Sequence, residues 1–202
     1  MANYGEELVY WYLRLNGFFI ISNFVLHTKD KRMRGDADLL AIRLPKTKEY
    51  IWVEINKHEV PREVLPDGEL FNYIDENKIV GIIAEVKAGF DKSSGDLNIF
   101  SNKERFTKAL QRLGMYEDGI ENESWHIRDI DNKYQVIKIL FKNNNERVEL
   151  KDGEYLIISL QHAENFIYKR LEEYSVEKTG SWVFFPSDLL QYLIWCIKFR
   201  SR

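Results

Sequence analysis

The stretch IVGIIAEVKAG, residues 79–89, constrains this chain more than any other. It is a short, mostly apolar run rich in isoleucine and valine, the pattern of a strand covered on both faces of a sheet. Yet it finishes on Glu85 and Lys87, one residue apart, just before a glycine. Side chains two apart in a strand project to one face, so the carboxylate and the ammonium stand together while Val86 points away. Either charge buried alone would be costly or would shift its pKa. Two readings satisfy that constraint. The pair is a structural ion pair or exposed strand end, or a divalent cation takes the Glu85 carboxylate and the Val86 carbonyl while Lys87 orients a water beside it.

The tripeptide alone is weak evidence. Glu-x-Lys also occurs at Glu76-Asn77-Lys78 and Glu149-Leu150-Lys151. Only the middle copy closes a long β-type run; the other two adjoin polar, turn-like sequence and read as solvated charges.

Around this strand the chain reads as further helices and strands. GEELVYWYLRLNGF is an opening helix stopped by Asn16-Gly17. FFIISNFVL and DADLLAIRL read as strands, the second ending at Pro45. Residues 46–78 hold a strand candidate, YIWVEIN, followed by prolines and an Asp-Gly turn signal, and read as an insertion. Ser101 with Glu104 three residues on forms a capping box that opens a helix to about Tyr116. YQVIKILF and EYLIISL are further strands, the latter running into the helix QHAENFIYKRLEEY, and a last helix begins near Pro186-Ser187. The order predicts an α/β protein with a mixed central sheet flanked by helices. It is read as one domain over 1–202, with a core at 5–45 and 79–145, the insertion at 46–78 and a C-terminal embellishment, including the last helices, at 146–202.

Two acids, Asp36 and Asp38, stand where the second strand begins. A single acid there reads as a turn residue. Two strand-end acids plus a lysine make an oxygen-rich ligand set, with room for water and phosphate, of the kind Mg²⁺ accepts. Glu6, in the first turn of the opening helix, is either a partner of the helix dipole, which Glu7 would serve equally, or part of the same site.

GEELVYWYLRLNGFFII, RGDADLLAI and GIIAEVKAG together resemble the PD-(D/E)xK nuclease superfamily, the restriction-endonuclease-like fold. The likeness is greatest to small nucleases of the Holliday-junction-resolvase type, and it covers roughly residues 5–120. It implies an αβββαβ core and puts the metal-binding acid at Asp38 rather than Asp36. Glu85 and Lys87 fall on the paired carboxylate and lysine. The gap between Asp38 and Glu85 is longer than in compact members. A rival alignment takes WVEIN, with Glu54 as the acid and Asn56 in the lysine's place, but asparagine supplies no charge. The Gln-x-x-x-Tyr of some family exonucleases is unmatched, since Gln111 and Tyr116 are spaced differently.

The resemblance implies a nuclease that hydrolyses phosphodiester bonds in DNA with Mg²⁺, or Mn²⁺ in its place. Asp38 and Glu85, with the Val86 carbonyl, would hold the metal. Lys87 would polarise the attacking water, and Glu6 would act as an outer ligand or an orienter of water. With 202 residues and a formal charge of −3, the chain exerts no global pull on nucleic acid, so contact must be local. The loop before the Asp38 strand supplies Lys29, Lys31, Arg32 and Arg34 against the single acid Asp30, and is the expected nucleic-acid contact or else a solvated loop. The rival function is a non-catalytic nucleic-acid-binding or assembly module of the same fold. A third reading is an α/β protein with salt-bridged strand ends and no such site. A homodimer is compatible with the sequence.

The start MANYGEELVYWYL lacks the basic region and cleavage site of a signal peptide. The apolar stretch LLQYLIWCIKF falls short of the roughly 18–20 residues that span a bilayer. Its Cys196, alone in the chain, reads as a core residue. Together these predict a cytoplasmic protein with no membrane partner. His162 reads as a capping or surface residue.

Overall fold

The computed structural model describes residues 3–26, 35–89, 100, 102–117, 127–143, 148–151, 155–174 and 187–200. The basic cluster Lys29, Lys31, Arg32 and Arg34 lies outside the described residues.

Helix α1 (Tyr4–Leu15) opens at Asn3, whose Oδ1 accepts the Glu6 amide at 3.0 Å. It closes at Asn16, and Gly17 at φ 83° carries the chain out of the helix. Strands β1 (Phe19–Leu26), β2 (Gly35–Arg43) and β5 (Ile79–Lys87) form successive antiparallel pairs. Helix α3 (Lys103–Leu113) then crosses over to β7 (Tyr134–Lys142), which runs parallel to β5. Beyond β7 lie β9 (Tyr155–Ser159), parallel to it, and the edge strand β8 (Val148–Lys151). The short β6 (Ile127–Ile130) adds to β7. The sheet order β1-β2-β5-β7-β9-β8 is therefore mixed.

Two apolar layers cover this sheet. On one face α1, α4 (Leu160–Glu173) and α5 (Asp188–Arg200) pack through Leu8, Tyr12, Ile167 and Leu190 onto Val80, Ile82 and Ala84. On the other, α3 packs Phe106, Ala109 and Leu110 onto Leu40, Ile83 and Leu140. Covered on both faces, β5 is buried from Val80 to Val86. That is why its sequence is a continuous apolar run rather than an alternation.

Two local expectations are corrected. The cap of α3 is Asn102, whose Oδ1 accepts the Arg105 amide at 3.1 Å, not Ser101. The helix also ends at Leu113 rather than Tyr116, because Gly114 takes the left-handed φ of 70°. Within residues 46–78, β3 (Glu49–Ile55) and β4 (His58–Val64) make a two-stranded ribbon separate from the main sheet, followed by the single turn α2 (Gly68–Phe71). Its hairpin turn holds Asn56 and Lys57 at φ 55° and 66°. Pro61 is tolerated opposite Trp52 because a lone ribbon has outward-facing positions whose N–H joins no ladder. Among the described residues, no helix is long and apolar enough to cross a membrane.

Candidate functional site

β2 and β5 pair from Arg43–Val80 only as far as Leu39–Ala84. β2 nevertheless stays paired with β1 to Gly35, and β5 with β7 to Lys87. The sheet therefore divides beyond Leu39 and Ala84, and the next residues on the two strands are Asp38 and Glu85.

Asp38 fills the division. Its Oδ2 accepts the Val86 amide at 2.7 Å, replacing the backbone acceptor that a continued ladder would have supplied. The N–H and C=O of one strand residue point to the same side. The Val86 carbonyl is thus directed toward β2, into the gap. Glu85 is 3 % exposed, and Lys87 Nζ reaches its Oε2 at 3.4 Å with the lysine head partly in solvent. Leu40 and Ile83 pack against α3, so Asp38, Glu85 and Lys87, at the same alternation, belong to that face. In the parallel register β7 sets Lys142 beside Lys87.

Glu6 is held differently. Its Oε1 accepts from Asn3 Nδ2 at 2.6 Å, a reciprocal cap with the Asn3–Glu6 amide bond. It lines a cavity of about 300 Å³ with Tyr10, Arg14, Ser22 and Leu39, on the α1 side of the sheet. Its helix does sit over the same strand end. A Cβ on Gly5 would lie 2.7 Å from Ala88 Cβ and 3.1 Å from Val86 Cγ1. Glu54 and Asn56 lie on the ribbon: Glu54 is exposed opposite Glu59, and Asn56 is a turn residue.

Asp38, Glu85 and the Val86 carbonyl offer hard oxygen donors, few in number, which fits Mg²⁺, an ion that keeps several waters and uses one or two carboxylates. Among the described residues, no group of three or more His, Cys, Asp or Glu could hold a metal. Any cation here would rest on these two acids, the carbonyl and water.

A second polar cluster had no sequence signal beyond an apparent Asp-Gly turn. Asp67 is buried, accepts the Tyr12 hydroxyl at 2.5 Å and meets His162 Nε2 at 2.6 Å. Its Oδ1 caps α2 through the Glu69 amide, and its own amide donates to Asn16 Oδ1. Burial pushes the Asp67 carboxyl up, but the hydrogen bonds from His162 and Tyr12 outweigh it and hold the group below the usual carboxylate range. Burial, with the Asp67 charge, drives the Tyr12 phenol well above its ordinary value. These groups link α1, α2 and α4 through the one Asp67 carboxylate, a structural role.

Comparison with family models, curated proteins and solved structures gives no match.

Proposed function

We propose that this protein is a Mg²⁺-dependent nuclease of the PD-(D/E)xK type, with a restriction-endonuclease-like core, acting on DNA. The observation that carries this reading is the division of the sheet at Asp38 and Glu85, with Val86 and Lys87 beside them. Strand ends that part at two carboxylates make room for a cation and a phosphate where a continuous sheet would not. Asp38, Glu85 and the Val86 carbonyl would hold the cation, which when bound would supply charge neutralisation at the phosphodiester. Lys87, ion-paired to Glu85 yet open to solvent, is placed to hold the attacking water and stabilise the charge that develops as the new P–O bond forms and the old one breaks. Glu6, committed to the α1 cap, acts at most through water, as an orienter.

The non-catalytic binding module is the second reading. It is favoured by the absence, among the described residues, of a group of three or more His, Cys, Asp or Glu that could hold a metal, and by the engagement of Asp38 by a backbone amide. The test is cleavage of mixed DNA substrates in Mg²⁺ and in Mn²⁺ by the wild type and by Glu85→Gln. Metal-dependent cleavage lost in the variant supports the nuclease; equal residual cleavage by both points to a contaminant and leaves the binding module.

A further inference from the structure

β7 is an internal strand, flanked by β5 and β9, and its charged residues fall on one face, while the other carries the buried Gln135 among apolar residues. The charged face carries Lys138 and Lys142. Lys138 is 2 % exposed, with its Nζ 5.2 Å above the Phe106 ring, so it belongs to the α3 core. Lys142 is different. It is half-buried at the strand's end, in register with Lys87, and the Asn143 amide donates to the Lys87 carbonyl at 3.3 Å, holding the two strands together there.

Neighbouring strands are about 4.8 Å apart, so the two lysines leave the backbone side by side at the rim where Asp38 and Glu85 stand. Like charges opposite one another destabilise a sheet. Glu85 offsets Lys87, but among the described residues no carboxylate lies within ion-pair distance of Lys142. Nor is Lys142 an edge guard, the usual reason for a lysine on a strand, because β7 is not an edge. An anion at the rim removes the repulsion. With the Lys87 side chain 44 % exposed and Lys142 half-buried, this strand end is open to solvent, which suits a polymer.

We infer that Lys142 is a nucleic-acid-binding residue that grips the backbone phosphate next to the one presented to Asp38, Glu85 and Lys87. The inference rests on the nuclease reading for which phosphate is cut, but it makes its own claim about binding. Lys142 touches no reacting bond and acts on affinity and register, whereas Lys87 acts on the chemical step.

The experiment measures binding of a short labelled DNA duplex and of the matching single strand across a salt series without Mg²⁺. Cleavage with Mg²⁺ is followed in parallel over a range of DNA concentrations up to saturation. The proteins are the wild type, Lys142→Met, Lys142→Arg and Lys87→Ala. Lys142→Met is expected to weaken binding and to flatten the slope of log K against log salt by about one ion, roughly 0.7–0.9, with KM raised and kcat nearly unchanged. Lys142→Arg should restore both slope and KM. An unchanged slope and KM in Lys142→Met, with the wild type binding and cutting, overturns the inference alone. If the wild type binds but never cuts and the slope still falls, the nuclease reading fails while the Lys142 contact stands. If the wild type does not bind at all, the inference falls.

Discussion

His162 Nε2 lies 2.6 Å from Asp67 Oδ2, joining the first turn of α4 to the residue that caps α2. The same carboxylate oxygen takes the buried Tyr12 hydroxyl from α1. One acid thus ties three helices, and the cost of burying it is offset only while it is ionised and fully bonded. Its pKa is held below the ordinary carboxylate value, so it contributes stability that is complete above the unfolded-state pKa and is lost as pH falls through the folded one. The wild type should therefore lose this stabilisation only below about pH 4. Asp67→Asn should be less stable at neutral pH by about 1.5–3 kcal/mol, the range for hydrogen bonds to a charged group, with the difference shrinking in acid. Urea titrations at several pH values measure both.

Lys57 occupies a left-handed conformation, φ 66°, in the turn between β3 and β4. Asn56 before it suits that region, but a lysine there carries strain that glycine does not. Lys57→Gly should stabilise the ribbon by about 0.5–1 kcal/mol. Amide exchange within residues 49–64 should slow, while exchange in β5 and β7 stays the same; slower exchange throughout would point to a different cause.

Gly5 sets the distance between α1 and the end of β5. A methyl there would sit 2.7 Å from Ala88 Cβ, far inside van der Waals contact, and neither neighbour is a flexible side chain. Gly5→Ala should therefore destabilise despite alanine's better helix propensity, by about 1–3 kcal/mol as for other overpacked sites. Thermal denaturation of Gly5→Ala decides it, since an equal or higher midpoint would mean that the helix can lift without loss.

Much of this frame was legible because β5 and β7 are buried on both faces, β1 is rich in β-branched and aromatic residues and β2 runs apolar after Asp38, patterns that survive in sequence. The short β6 and β8, IRDI and VELK, carry too few residues for a period to register. Ser101 and Asn102 are adjacent residues of good capping type, and Asn102 is the one whose side-chain oxygen accepts the amide three residues on, that of Arg105. Asp38, Glu85 and Lys87 were readable as strand-end charges, but the parting of β2 from β5 was not, because it depends on a side chain replacing a backbone bond. Lys142 was hidden for a related reason. A lysine after YQVIKILF looks like a solvated strand end until the parallel register sets it beside Lys87. Asp67 was masked by Gly68, which made a helix cap look like a turn.

Asp38 has two separable jobs, and a pair of substitutions divides them. Its carboxylate accepts the Val86 amide, a task that any well-placed side-chain oxygen can perform, and in the proposed site it also supplies negative charge to a cation. Asp38→Asn keeps an oxygen of the same reach while discarding the charge. It should remain as stable as the wild type to within about 1 kcal/mol, since a neutral acceptor still satisfies the amide. Asp38→Ala leaves the Val86 amide without that partner and should lose about 1–3 kcal/mol. Both variants should lose Mg²⁺ affinity and cleavage together. Lys87→Ala, in contrast, leaves the oxygen donors in place and should retain metal and DNA binding while cleavage falls, because the lysine acts mainly on the transition state. Stability by urea titration, Mg²⁺ binding by calorimetry and DNA cleavage are measured on all three. If Asp38→Asn binds Mg²⁺ and cleaves like the wild type, Asp38 is a strand-end hydrogen-bond acceptor only. The division of the sheet then serves the fold, and the proposed assignment of Asp38 as a metal ligand fails.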